Sequence, residues 1–231
     1  MAYSKSEIIS MCEAASKDMK SFYKQNFINY RGKTKGDERD WSTEIIAEWL
    51  LGNIGKFNEI HPVVRNNGYN QNHSGELGEM TIRVEEYVAK QLFNSKKKYK
   101  GIGEIIDYQT PLKNPGGTEN AGLGKIDLLS RNDETKCVYI LELKKDSSEE
   151  TMLRCVLEGY TYLRLIPKEN LFKSFGIPSD YELKAAPLVY FGGVQYKEYN
   201  DKKRKYLLQL MKELKISPFF MKEILSFDID S

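Results

Sequence analysis

The chain has 231 residues, of which 40% are hydrophobic and 29% charged, and its formal net charge is +2. This composition is typical of a globular protein that can bury its own core, and it excludes a disordered or collagen-like chain. The charge excludes a histone-like protein but is compatible with a local basic groove. The three cysteines and two histidines lack the spacing of a disulfide framework or a zinc site. No apolar run reaches the length of a membrane span and no signal-peptide core is present, so we expect a cytoplasmic protein without a membrane partner.

The first 73 residues are expected to form a helical cap. Ser4 and Glu7 have the spacing of a capping box, and apolar residues at helical intervals follow them. A polar stretch at 31–40 predicts a loop, and 43–51 predicts a short apolar helix. We therefore expect two units, a helical cap at 1–73 and a core at 74–231, with the cap packed on the core.

Residues 74–231 predict alternating helices and strands. In chain order, the predicted elements are a helix at 76–92 capped by Ser74, strands at 103–112, 126–131 and 137–144, a helix from a capping box at Ser147 and Glu150 to about 165, a strand at 187–194, a helix at about 203–214 and a final helix after Pro218. This order predicts an α/β fold with a mixed sheet flanked by helices and with helices at the C-terminus.

The predicted hairpin at 126–144 carries three charged residues in an apolar context. Glu142 and Lys144 are two residues apart on one strand, so their side chains share a face. If the turn is 132–135, Asp127 lies opposite Ile140 and is a diagonal neighbour of Glu142, roughly 7–8 Å away at the backbone. Two such carboxylates are able to bind one Mg²⁺, and a lysine beside the metal orients water or stabilises charge on a phosphate. A structural ion pair is the alternative, but unused charges in so apolar a strand are costly.

Two short motifs in this region resemble those of a known family. Gly124–Leu129 (GKIDLL) and Ile140–Lys144 (ILELK) resemble the motifs of the PD-(D/E)xK nuclease superfamily, which has the restriction-endonuclease-like fold. The predicted order αβββαβ is similar to the core of that family. In the next helix, Glu158 to Tyr162 (EGYTY) resembles the family motif Q-A-x-x-Y, with glutamate in the place of glutamine. The resemblance covers roughly residues 74–194.

The resemblance implies a Mg²⁺ site, or a Mn²⁺ site, for the hydrolysis of DNA phosphodiester bonds. It implies that Asp127 and Glu142 bind the metal, that the backbone carbonyl of Leu143 completes the protein ligands, and that Lys144 positions or activates the attacking water. The expected activity is that of a restriction- or repair-type nuclease acting on DNA. A nuclease-like module that binds nucleic acid or assembles without catalysis is the alternative, and a homodimer is left open because many such nucleases cut duplexes as dimers.

Further site residues follow from the same resemblance. Family members often add a carboxylate from the helix before the sheet, for which the candidates are Glu76 and Glu79. On an ideal helix, Glu76 lies roughly 90° from the centre of the apolar stripe and Glu79 roughly 150° from it, which favours Glu76. Glu158, Tyr162 and Lys125 are the candidates for contact with nucleic acid.

Overall fold

The structure is a computed structural model that describes residues 2–36, 39–65, 67–77, 83–113, 122–222 and 229–230. Within these ranges, α-helices and short 3-10 segments pack around one mixed β-sheet. The α-helices are α1 (Lys5–Ala15), α2 (Ser42–Gly52), α3 (Val84–Ser95), α4 (Met152–Leu165), α5 (Lys168–Phe175), α6 (Val194–Asn200) and α7 (Lys205–Glu213). The strands are β1 (Lys98–Tyr99), β2 (Gly103–Pro111), β3 (Lys125–Asn132), β4 (Cys137–Leu143), β5 (Glu182–Tyr190), β6 (Phe219–Met221) and β7 (Ile229–Asp230). The 3-10 segments are Ser16–Lys24, Asn26–Asn29 and Ile54–Glu59.

The strands lie in the sheet in the same order as in the chain. Strands β1 to β4 form an antiparallel meander, and β5 then pairs parallel to β4 after the chain has passed through α4 and α5. Strand β6 is parallel to β5, and β7 is antiparallel to β6. The predicted α/β class with a mixed sheet flanked by helices is therefore confirmed.

Alternate residues of β4 pack into two separate hydrophobic clusters. Val138 and Ile140 belong to a cluster that also contains Val156 of α4 and Ile8 of α1, whereas Leu141 belongs to a second cluster with residues of α3. Because successive side chains of a strand point to opposite faces, α4 and α3 cover opposite faces of the central strands. The N-terminal helices thus share a hydrophobic cluster with α4.

Several predicted local features are confirmed. The Ser4 hydroxyl accepts a hydrogen bond from the Glu7 N–H, and the Glu7 carboxylate accepts one from the Ser4 N–H, which completes the capping box of α1. Helix α2 covers the predicted segment, and the hairpin of β3 and β4 is present. None of the helices in the described ranges is long and apolar enough to cross a membrane.

Two predicted helix starts are wrong. Residues 74–77 lie outside any helix, and α3 begins only at Val84, whereas 78–82, including Glu79, lie outside the described residues. Helix α4 begins after Thr151 rather than at Ser147, and the Thr151 hydroxyl accepts a hydrogen bond from the Arg154 N–H. In both cases a plausible cap occurs in the sequence before the helix, but the helix begins further along the chain.

The helix predicted after Pro218 is also wrong, because Phe219–Met221 form strand β6. The three side chains of β6 are all buried, and the strand is hydrogen-bonded to the parallel strand β5. A run of three consecutive apolar residues does not distinguish a strand from a helix, and here the available sheet edge decides.

Candidate active site

Asp127 and Glu142 are closer in register than the sequence analysis predicted. Strands β3 and β4 pair Leu128 with Leu141 and Asn132 with Cys137, so that one further step places Asp127 opposite Glu142 rather than opposite Ile140. The predicted turn at 132–135 is therefore wrong by one residue, and the loop is 133–136. The Asn132 side chain causes this difference: its Oδ1 accepts hydrogen bonds from the N–H groups of two loop residues, 134 and 135. A shift of two residues in pairing preserves the face of each side chain, so Asp127 and Glu142 remain on the same face.

Lys144 is buried among carboxylates. Its Nζ lies 2.5 Å from Glu142 Oε1, 3.0 Å from Glu150 Oε2 and 3.9 Å from Glu158 Oε2, and Lys144 is only 5% exposed. Burial lowers the pKa of Lys144, but the carboxylates, above all that of Glu142, outweigh burial and raise this pKa well above its ordinary value. The carboxylates therefore favour the protonated form of Lys144, whose Nζ donates a hydrogen bond to Glu142.

The two carboxylates of the hairpin carry raised pKa values. Burial raises the pKa of Asp127 to about 7, against the opposing attraction of Lys144, and the nearby charges of Glu158 and Glu85 raise it further. Burial likewise raises the pKa of Glu142 well above its ordinary value, and repulsion by Asp127 adds to this effect. Crowded, desolvated carboxylates of this kind are stabilised when a cation binds between them.

Asp127 is also fixed by hydrogen bonds. Its Oδ2 accepts from the Leu143 N–H at 3.0 Å, and its Oδ1 accepts from Nε2 of Gln109 at 3.2 Å. Gln109 has a φ of 49°, a left-handed conformation that is uncommon for a residue with a side chain, in the strand next to Asp127. The carboxylate is thus oriented by both neighbouring strands.

The donor set fits a small oxygen-binding cation. Within the described ranges, no group of three or more His, Cys, Asp or Glu side chains is arranged to hold a metal ion. A Mg²⁺ ion commonly takes one or two carboxylates and completes its coordination with waters and substrate oxygens. Asp127 and Glu142, with the carbonyl of Leu143, would supply such a partial set.

The carboxylate that approaches from the helix before the sheet is Glu85, not Glu76. Glu76 is exposed and lies outside the helix, so the helical angles on which its choice depended do not apply. Glu85 lies in the first turn of α3, its Oε1 accepts a hydrogen bond from the Lys145 N–H at 3.1 Å, and its charge raises the pKa of Asp127. The acidic residues Glu85 and Glu86 are typical of the first turn of a helix and could have indicated its start. The prediction placed that start at Ser74 instead.

Glu158 faces the carboxylate cluster, whereas Tyr162 is enclosed. The Tyr162 hydroxyl donates a hydrogen bond to Glu158 Oε1 at 2.9 Å and lies 3.4 Å from the hydroxyl of Tyr23 in the N-terminal segment. Tyr162 is 3% exposed, so its ring is not available to stack on a base. A Cβ atom at Gly124 would overlap the Tyr162 hydroxyl, so a larger residue at this position of the GKIDLL motif would displace the Tyr162 side chain. Lys125 is exposed at the start of β3.

A second E-x-K pair in the sheet provides an internal comparison. Glu182 and Lys184 have the same spacing on β5, where Lys184 Nζ lies 2.8 Å from Glu182 Oε2, but the two side chains are 69% and 40% exposed. Hydrogen bonding to Lys184 lowers the pKa of Glu182, whereas that of Glu142 is raised. Burial and the adjacent Asp127 therefore distinguish the candidate site from a surface ion pair of the same sequence pattern.

No family model matches the sequence, and no curated protein or solved structure is significantly similar to it.

Proposed function

We propose that the protein is a Mg²⁺-dependent nuclease that hydrolyses phosphodiester bonds of DNA. The observation that carries this proposal is the cluster in which the register of β3 and β4 continues to place the half-buried Asp127 opposite the buried Glu142, with buried Lys144 against Glu142. The element order also supports the restriction-endonuclease-like fold. Apart from the two-residue strand β1 and the short helix α5, helix α3, strands β2–β3–β4, helix α4 and the parallel strand β5 follow the αβββαβ order of that family's core.

Each residue of the cluster has a role in this proposal. Asp127 and Glu142, with the Leu143 carbonyl, would hold Mg²⁺, which supplies an activated water and stabilises charge on the phosphate when bound. Lys144, which its neighbours keep protonated, donates to an oxygen that gains negative charge during the attack. Gln109 and the Leu143 N–H keep the Asp127 carboxylate oriented.

The first test is cleavage of a supercoiled plasmid and of a labelled single-stranded oligonucleotide. We expect cleavage with Mg²⁺ or Mn²⁺, none in EDTA, and none by Asp127→Asn. Glu182→Gln is the matched control, because it changes a carboxylate of the exposed E-x-K pair on β5, and it should retain activity. Absence of cleavage by clean wild-type protein, combined with absence of Mg²⁺ binding in calorimetry, would contradict the proposal.

The alternative is a nuclease-like module that binds nucleic acid or a protein partner without catalysis. The observation that favours it is the close network around Lys144, which already neutralises Glu142 at 2.5 Å and Glu150 at 3.0 Å without a metal. This alternative predicts DNA binding that neither EDTA nor Asp127→Asn changes. Calorimetry with Mg²⁺ separates the two functions, since only the nuclease requires a cation between Asp127 and Glu142.

A further inference from the structure

Basic side chains from three separate segments line one surface cleft. They are Lys5 of α1, Lys33 and Arg39 of the segment before α2, and Lys203 and Lys205 at the start of α7. The cleft has a volume of about 330 Å³, and all five side chains are exposed. This concentration of positive charge is notable in a chain whose net charge is only +2. We propose that this cleft, which we call the basic cleft, binds the phosphate backbone of a nucleic acid strand.

The described lining of the cleft carries five cationic and three acidic side chains, so positive charge is in excess by two. The three carboxylates are those of Asp40, Glu44 and Glu48. Glu44 is buried, and its two oxygens accept hydrogen bonds from the N–H groups of Tyr206 and Leu207 at the start of α7. The half-buried Glu48 forms an ion pair with Lys5, whose Nζ lies 3.6 Å from Glu48 Oε2. Glu44 thus faces the start of α7, and a bound anion would offset the excess of positive charge in the cleft.

Arg204 anchors the lysines that flank it. The sequence KKRK at 202–205 has the pattern of a solvated charge run, but Arg204 is 4% exposed, and its guanidinium lies over the ring of Trp41 at 4.1 Å and donates to the Thr43 hydroxyl. This inward arginine joins α7 to the start of α2 and leaves Lys203 and Lys205 at the cleft. The run therefore combines one structural cation with two cations directed at a ligand.

Aromatic rings hold two of the lysines in the cleft. Lys33 Nζ lies 5.1 Å from the centroid of the Trp41 ring, and Lys205 Nζ lies 4.5 Å from that of the Tyr206 ring. Such cation–π contacts restrict the lysine stems before a ligand arrives, which reduces the entropy lost on binding. Cations distributed over several segments match the evenly spaced charges of a phosphodiester chain better than one compact anion.

None of the candidate active-site residues lines the basic cleft. The choice of nucleic acid as the ligand rests on the proposed function, whereas binding measured in EDTA does not depend on catalysis. DNA binding without cleavage would therefore support the proposed ligand of the basic cleft and contradict the nuclease activity. Cleavage that does not depend on these lysines would support the nuclease activity and contradict the role of the cleft.

The test is the salt dependence of binding of a labelled 20-nucleotide single-stranded DNA, measured by fluorescence anisotropy in EDTA. Each phosphate contact contributes about 0.7 to the slope of log K against log salt for single strands. Lys203→Ala/Lys205→Ala should reduce the slope by about 1.4 and weaken binding at least ~10-fold at 0.1 M salt. Lys97→Ala/Lys100→Ala removes two exposed lysines from a second lysine-rich stretch, KKKYK at 96–100, and should leave both quantities unchanged. Circular dichroism of both variants verifies folding, and Lys203→Arg/Lys205→Arg should restore binding.

Competitors identify the ligand chemistry. Unlabelled DNA should displace the probe, whereas a methylphosphonate oligonucleotide without backbone charge should not. Equal displacement by inorganic pyrophosphate would overturn the inference in favour of a small polyphosphate, and equal displacement by polyglutamate would overturn it in favour of an acidic protein. No binding by wild type, or equal losses in the two double-alanine variants, would also overturn it.

Discussion

We expect the stability of Asp127→Asn relative to wild type to depend on pH in the absence of metal. The difference in unfolding free energy, variant minus wild type, should be larger at pH 8 than at pH 4. Burial raises the Asp127 pKa from 3.8 to about 7 in the folded state, so ionising this group costs folding free energy that is absent below pH 3.8 and complete above pH 7. The difference corresponds to about 4 kcal/mol as an upper value, since Asp127 is only partly buried and solvent screens part of the interaction.

Asparagine removes this pH-dependent cost, but it also replaces one of the two acceptor oxygens that Gln109 and the Leu143 N–H use. The lost acceptor costs about 1–3 kcal/mol at every pH, so the pH dependence, not the absolute stability, isolates the carboxylate. The assay is urea unfolding in EDTA from pH 4 to pH 9, with Glu182→Gln as the control. The pKa of Glu182 is lowered in the folded wild-type protein. Glu182→Gln should therefore become slightly less stable relative to wild type as the pH rises.

Mg²⁺ should stabilise wild type but not Asp127→Asn. At about ten times its Kd, Mg²⁺ stabilises a protein by about 1.4 kcal/mol when it binds only the folded state, and this gain should appear in wild type and be lost in the variant. Identical pH profiles for the two proteins in EDTA, or an equal gain from Mg²⁺ in both, would refute the electrostatic account of the site.

The remaining predictions concern the other groups around the sheet. Lys144→Ala should lower single-turnover cleavage by about 10²-fold while calorimetry still detects bound metal. Lys184→Ala, in the exposed pair on β5, should have little effect. Loss of metal binding in Lys144→Ala would mean that this lysine is needed to form the metal site. Glu85→Ala should lower cleavage at least ~10-fold, a loss of about 1.4 kcal/mol, whereas Glu76→Ala should leave cleavage nearly unchanged. The opposite ranking would favour Glu76, the residue predicted from the sequence, as the additional carboxylate. Thr151→Ala should lower the free energy of unfolding by about 1 kcal/mol through loss of the α4 cap, and an unchanged urea midpoint would contradict that role.

Local rules allowed the sequence to predict the elements and the main residues of the candidate site. The alternation of a strand has a period of two, so Glu142 and Lys144 share a face whatever surrounds them. For the same reason, an error of two residues in the pairing of Asp127 leaves it on that face. The capping box at Ser4 depends on residues three apart and was equally readable.

The tertiary structure decided what depends on contacts between distant segments. The Asn132 side chain stabilises the hairpin loop, and the register that this loop begins places Asp127 opposite Glu142 one step beyond Leu128 and Leu141. The late start of α3 substitutes Glu85 for Glu76, because a potential cap at Ser74 forms a helix only if the surrounding packing permits it. The basic cleft likewise brings together Lys5 and Lys205, which lie 200 positions apart in the chain. Periodicity and capping act over a few residues, whereas register, helix starts and convergence of charge are set by packing across the whole chain.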